Sequence, residues 1–273
     1  MESEESWVRE MKQRIITAVI AIAVFLPFVL IGKLPLVLFT FLLVGVGIFE
    51  MYRMRKISFF SVPGLLSLLA VWMIVLPNHY LANLNMTKIE IGLIAVLLYL
   101  TYMVFSKNRF TFDDVAFSIL AVIYIGTGFH FFIEIRETHL AYLIYSLFII
   151  WATDSGAYFI GKAIGKRKLW PEISPNKTVE GFLGGILCAL VVGVLFSVFD
   201  YIQWSIGFAF TTVILSIFGQ IGDLTESALK RYYDVKDSGS LLPGHGGILD
   251  RFDSLIFVWP LLYFIFERFL DLI

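Results

Sequence analysis

The chain has 273 residues, of which 59% are hydrophobic and only 16% charged, with a mean hydropathy of +0.84. Soluble domains carry roughly 25% charged residues, so this composition excludes an ordinary soluble globule and points to a membrane protein. A formal net charge of −1 says nothing about a nucleic-acid partner, and none is expected; the single cysteine, Cys188, excludes an internal disulfide or a zinc cluster of cysteines.

The chain opens on Met1-Glu2-Ser3-Glu4-Glu5, acidic where a signal peptide would be basic, so the apolar run 15–32 reads as a retained first transmembrane helix. A spanning helix needs about 20 mostly apolar residues. Further runs near that length follow at 34–51, 58–77, 89–105, 115–133, 138–153, 182–199, 202–221 and 254–270. Pro35 suits the first turn of the second run, where a missing N–H costs little. The pattern predicts an all-α polytopic integral membrane protein with nine transmembrane helices. Residues 1–110 carry no motif and read as N-terminal membrane helices serving as scaffold or dimer surface. Residues 111–273 read as the catalytic membrane region, with polar loops at 154–181 and 222–253.

Charge tests the count. Nine spans put 17 of the 21 Lys and Arg on the N-terminal side and leave Lys33, Lys88, Arg136 and Arg268 on the other. The positive-inside rule then places the N-terminus and both polar loops in the cytoplasm and the C-terminus across a cell (inner) membrane. Glu50, ending the second run, and His130, near the outer end of the fifth, carry no motif and read as isolated polar residues.

In the first polar loop, Lys177 and Thr178 stand at the start of the seventh run, where free N–H groups and the helix dipole favour phosphate. Gly161-x3-Gly165-Lys166-Arg167 is one residue short of a P-loop, lacks its Ser/Thr and follows no strand. Lys166, Arg167 and Lys168 read as interfacial cations for anionic headgroups. Gly181, Gly184 and Gly185 read as helix-packing glycines.

The second polar loop carries more chemistry. If the eighth run continues as a helix, Asp223, Ser227, Lys230 and Asp234 share one face with Glu226 beside them, either a solvated helix end or part of a site. Pro243-Gly244-His245-Gly246-Gly247 lets the backbone approach a ligand closely. Asp250 and Asp253 then open the ninth run, as caps or as cation ligands. A carboxylate at a membrane surface is costly unless paired or bound to a cation, and a few oxygen ligands with room for water and phosphate suit Mg²⁺.

Read in order, Ser227-x-Leu229-Lys230-Arg231-x4-Lys236-Asp237-x-Gly239-x2-Leu242-Pro243-x-His245-Gly246-Gly247-Ile248-x-Asp250-Arg251-Phe252-Asp253 resembles the signature of the phosphatidate cytidylyltransferase (CDP-diacylglycerol synthase) family, bacterial type, with no departure over those 27 positions. Asp154-x2-Ala157-Tyr158 and Ser174-Pro175-Asn176-Lys177-Thr178-Val179-Glu180-Gly181 resemble the family's upstream region. The resemblance implies a transferase of phospholipid biosynthesis in which phosphatidate attacks the α-phosphorus of CTP, giving CDP-diacylglycerol and pyrophosphate. It implies magnesium, alone or with a second cation, held by Asp223 and Asp250, with Asp253 a third ligand or an orienter of Arg251. Lys230, Lys236 and Arg251 become catalytic partners beside those aspartates. Asp154, Lys177, Thr178, Glu180, Ser227, Arg231, Asp237, His245, Gly246 and Gly247 become substrate-binding residues, with His245 contacting phosphate or fixing its loop. Membrane lipids and a second copy in a homodimer are the expected partners. The rival readings are a CTP-dependent polyprenol- or phytol-type lipid kinase and a membrane transporter. A transporter would place ionisable residues near mid-membrane in an inverted repeat, and neither is present in the sequence. A CDP-alcohol phosphotransferase would need Asp-x3-Asp, whereas the spacing here is Asp250-x2-Asp253.

Overall fold

The computed structural model describes residues 2–82 and 85–268. Its elements are α1 (Glu2–Ile31), α2 (Lys33–Met54), α3 (Val62–Val75), α4 (Asn78–Ala82), α5 (Lys88–Phe105), α6 (Phe112–Thr138), α7 (Leu140–Ile164), β1 (Lys168–Trp170), β2 (Ser174–Thr178), α8 (Val179–Val198), α9 (Ile206–Tyr232) and α10 (Leu249–Arg268). All nine apolar runs coincide with helices, although the last two residues of the run 254–270 lie outside the described residues. Among the described residues seven helices are long and apolar enough to cross a membrane: α1 from Met11, α2, α5, α6, α7, α8 and α9. The molecule is therefore an all-α polytopic membrane protein, with α3 apolar but only 14 residues long.

The chain divides into two units. The first contains residues up to Ile133 together with Val235–Arg251. Its α2 buries Leu36, Val37, Leu43, Val44, Ile48, Met51 and Tyr52 at helical spacing. Hydrocarbon cannot satisfy polar groups, so those inside the unit satisfy one another. The Tyr52 hydroxyl lies 2.6 Å from Ser67 Oγ, 2.8 Å from Ser118 Oγ and 3.1 Å from the Pro63 carbonyl, and Ser67 also bonds Tyr99. This network ties α2 to α3, α5 and α6. Where α2 ends, Arg55 donates from Nε and a terminal nitrogen to Asp114 Oδ1 at 3.0 and 2.8 Å.

The second unit contains Glu134–Asp234 and the chain from Phe252 onward. Its centre is a close seam between α7 and α8. A Cβ at Gly185 would lie 2.7 Å from the Thr153 carbonyl oxygen, one at Gly181 2.6 Å from the Ala157 carbonyl oxygen, and one at Gly184 2.6 Å from the Ile160 side chain. These three glycines are the packing residues that the sequence suggested. Buried hydroxyls again pair across helices, Tyr145 with Thr212 at 2.6 Å and Thr153 with Ser216 at 2.9 Å.

The polar segment 154–181 is more ordered than a loop. α7 continues through Asp154 to Ile164, because Ala157, Phe159, Ile160 and Ala163 sustain a helix after the continuous apolar run stops. An antiparallel hairpin of β1 and β2 follows, pairing Lys168 with Thr178 and Trp170 with Ser174. Pro175 is tolerated there because each strand of a two-stranded sheet has a free edge. Thr178 then caps α8, its Oγ1 accepting the Gly181 N–H at 3.1 Å.

Replacing Gly185 by Ala is expected to destabilise the protein by about 1–3 kcal/mol through overpacking. Gly92→Ala on α5, where a Cβ meets nothing within 4 Å, should be neutral or stabilise by up to about 1 kcal/mol. Thr178→Ala is expected to cost about 0.5–2 kcal/mol through loss of the cap, and Thr178→Ser to restore most of it. Unfolding of each purified variant in detergent micelles checks these values.

Candidate active site

Several of the residues singled out in the sequence gather into two polar clusters, one in each unit. In the second unit, β2 delivers Lys177 to α9, where its Nζ lies 2.6 Å from Asp223 Oδ2. The two blocks of conspicuous sequence, 46 residues apart at these positions, thus meet in one ion pair. One turn along α9, Ser227 Oγ donates to Asp223 Oδ1 at 3.4 Å, as their i, i+4 spacing predicts. Lys230 Nζ lies 3.6 Å from the buried Glu226 carboxylate. Asp234 falls outside this face, since α9 ends at Tyr232 and Asp234 turns into the left-handed region at φ 59°.

Gly222 lets α10 approach α9 beside these carboxylates: a Cβ there would lie 2.6 Å from the Asp253 carbonyl oxygen. Asp253 sits just ahead of the apolar run 254–270. Burial raises its carboxyl above the usual range, outweighing a hydrogen bond with Glu226, and the nearby Asp223 charge adds to the rise. The arrangement is a row of carboxylates interleaved with Lys177 and Lys230, so it can exchange protein counter-charges for those of a phosphate or a cation. Arg231 reaches elsewhere, with Nε 3.5 Å from the Ile173 carbonyl in the hairpin turn.

Thr178 and Glu180 organise the start of α8. Glu180 Oε2 accepts the Lys166 and Arg167 N–H groups at 3.0 and 3.2 Å, holding the basic turn against the helix. Asp154 is exposed on α7 rather than in a loop.

In the first unit, the glycine-rich segment forms a tight turn. The His245 N–H donates to the Leu242 carbonyl at 2.8 Å, with Pro243 next and Gly244 at φ 77°, the pattern of a type II turn. Gly246 follows at φ 83°. His245 Nδ1 is buried and has no hydrogen-bond partner among the described residues. Asp250 Oδ2 accepts from the Gly247 N–H at 2.8 Å and from both the N–H and hydroxyl of Ser238 at 2.9 Å. Lys236, Asp237 and Arg251 are exposed around this turn.

Glu50 and Arg53 are the residues that the sequence reading missed. Glu50 is 1% exposed, and its carboxylate accepts from the Ile248 N–H at 2.8 Å and the Leu249 N–H at 2.9 Å and lies 3.1 Å from the Ser238 hydroxyl, whose one proton it shares with Asp250 Oδ2. A Cβ on Gly239 or Gly247 would collide with it. Arg53, one turn on, donates to the Ser238 carbonyl at 3.0 Å. The signal available in the sequence was a carboxylate ending an otherwise apolar run, a position expensive unless the charge has partners.

Among the described residues no three His, Cys, Asp or Glu side chains form a group that could hold a metal by themselves. The acidic side chains offer hard oxygen donors only, which fits Mg²⁺ shared between one or two carboxylates and substrate phosphates.

Comparison with known proteins agrees with the motifs. The sequence model of the cytidylyltransferase family matches residues 12–269. A phosphatidate cytidylyltransferase of Bacillus subtilis (strain 168) is 56% identical over 266 residues, covering 95% of this chain and 99% of the relative. Proteins of the same name from Staphylococcus epidermidis (strain ATCC 12228) and Staphylococcus aureus (strain COL) are 50% and 48% identical, each covering 92% of this chain and 97% of the relative. The chain belongs to the cytidylyltransferase family.

Proposed function

We propose that this protein is a phosphatidate cytidylyltransferase, an enzyme of phospholipid biosynthesis that joins CTP and phosphatidate into CDP-diacylglycerol and releases pyrophosphate. The observation that carries this reading is similarity to proteins of that name across nearly the whole chain. The Lys177–Asp223 pair supports it, since it joins the two polar segments of the sequence in one cluster of balanced charge.

The reaction makes a limited demand on side chains. A phosphatidate oxygen is already anionic near neutral pH, so no strong base is needed to generate the nucleophile. The obstacle is repulsion between two polyanions, and catalysis consists of holding them in line and neutralising charge as pyrophosphate leaves. Lys177 and Lys230 are placed to pass from carboxylates to phosphate oxygens. Arg231, Lys236 and Arg251 supply further charge, and Ser227, Asp237 and Asp154 supply polar contacts. The turn at Gly246 and Gly247 presents backbone to the ligand, and His245 contacts phosphate or fixes this turn. Thr178 and Glu180 shape the start of α8 for the nucleotide. Asp223, Asp250 and Asp253 are the candidate ligands for Mg²⁺, one or two of which would hold it together with substrate phosphates, and it would supply charge neutralisation to the leaving pyrophosphate.

The same reading includes nine crossings, with α3 and α10 added to the seven long apolar helices. The N-terminus and site then face the cytoplasm of a bacterial inner membrane, on the side that holds CTP. The N-terminal helices within 1–110 serve as scaffold or dimer surface for the catalytic region 111–273, in a homodimer. The supporting observation is the distribution of Lys and Arg.

Purified protein given radiolabelled CTP, phosphatidate and Mg²⁺ should form labelled CDP-diacylglycerol. No product with any phosphatidate, together with phosphorylation of a polyprenol, would transfer the assignment to a lipid kinase. Asp223→Asn and Asp250→Asn should each lower kcat by roughly 10²–10³-fold; a folded variant that keeps wild-type turnover removes its residue from the catalytic set. Lys177→Met should raise the KM for CTP more than that for phosphatidate, which steady-state kinetics on both substrates would measure.

A further inference from the structure

Glu50 lies on no motif, yet it is among the most thoroughly bonded carboxylates of the first unit. Its two oxygens take up the N–H groups of Ile248 and Leu249, where α10 begins, and the hydroxyl of Ser238. The same hydroxyl, with its own N–H and that of Gly247, surrounds Asp250 Oδ2. One side chain, Ser238, thus bridges a buried carboxylate on α2 to the aspartate proposed for catalysis. Gly239 and Gly247 flank Glu50 so closely that any side chain there would displace it. Arg53 fixes the Ser238 carbonyl from the same helix.

A capping role alone would need only the two backbone donors. The third donor, shared with Asp250, gives Glu50 a second consequence. A helix N-terminus stabilises nearby negative charge, and here it does so for two carboxylates whose relative placement is set by one hydroxyl. We propose that Glu50 is a positioning residue that orients the Asp250 carboxylate through Ser238 and the Gly246–Leu249 backbone, so that α2 sets the geometry of the catalytic turn. The inference rests on the function proposed above.

The test uses the full chain in detergent micelles and two variants, Glu50→Gln and Ser238→Ala, with Tyr52→Phe as the control. Glu50→Gln replaces one accepting oxygen by a donor facing backbone donors. Ser238→Ala removes only the bridging hydroxyl. Tyr52→Phe breaks the buried hydroxyl network of the same helix without touching the turn. Partners of this kind typically contribute about 10–100-fold in metal affinity or activity. Glu50→Gln is expected near the upper end and Ser238→Ala near the lower, in kcat and in Mn²⁺ affinity read by electron paramagnetic resonance without substrate. The double variant should be no worse than Glu50→Gln alone, and the Ile248 and Leu249 amides should lose exchange protection only when Glu50 is changed. Tyr52→Phe should lower thermal stability while leaving kcat and Mn²⁺ affinity at wild-type values.

A folded Glu50→Gln protein with wild-type kcat and Mn²⁺ affinity overturns the proposal. So does a loss of activity that merely tracks the loss of folded protein. If Glu50→Gln does not fold, Ser238→Ala decides alone, and wild-type values in that variant overturn it. A wild-type protein that makes no CDP-lipid defeats the proposed function instead, while Mn²⁺ affinity and amide exchange still report on positioning.

Discussion

An irregular, glycine-rich turn beside a membrane needs acceptors for its backbone N–H groups, and in this protein carboxylates provide them. Glu50 and Asp250 together take up the N–H groups of Gly247, Ile248 and Leu249 and of Ser238. The first turn of a helix has no intrahelical acceptors for these donors, and its dipole favours negative charge. The interaction therefore serves both partners: the turn gains a fixed shape, and two carboxylates gain the donors that make their burial tolerable. Glycine at 239 and 247 is required because nothing larger leaves room for Glu50. The left-handed conformations of Gly244 and Gly246 complete the bend.

The second unit reaches a comparable end by close helix packing. Three glycines on α8 bring its backbone against α7, which fixes where the hairpin between them can lie. Thr178 closes the hairpin and caps α8 in the same step, leaving the preceding Lys177 at Asp223. A change in the seam would thus move a cation of the candidate site without touching it directly.

Much of this was legible in the sequence because it depends on local pattern. Each long apolar run became a helix, and the spacing of Asp223 and Ser227 correctly gave a shared face. Thr178 caps α8 as the sequence suggests, while Lys177 precedes it within β2. What was not legible depends on partners far away in the chain. Glu50 meets donors 188 to 199 positions later, so nothing adjacent marks it. Asp154 and Ser155 interrupt the apolar run but not the helix, because hydropathy and helix propensity report different things. The strands at 168–170 and 174–178 are too short for alternation to be recognised, and one contains a proline.

In the proposed reaction the lipid phosphate itself attacks the α-phosphorus of CTP. Phosphatidate carrying ¹⁸O at its non-bridging phosphate oxygens tests this directly, with mass spectrometry of both products. All of the label should stay in CDP-diacylglycerol, and the released pyrophosphate should carry none. Label in the pyrophosphate, or a lipid product bearing an added phosphate without cytidine, would contradict it.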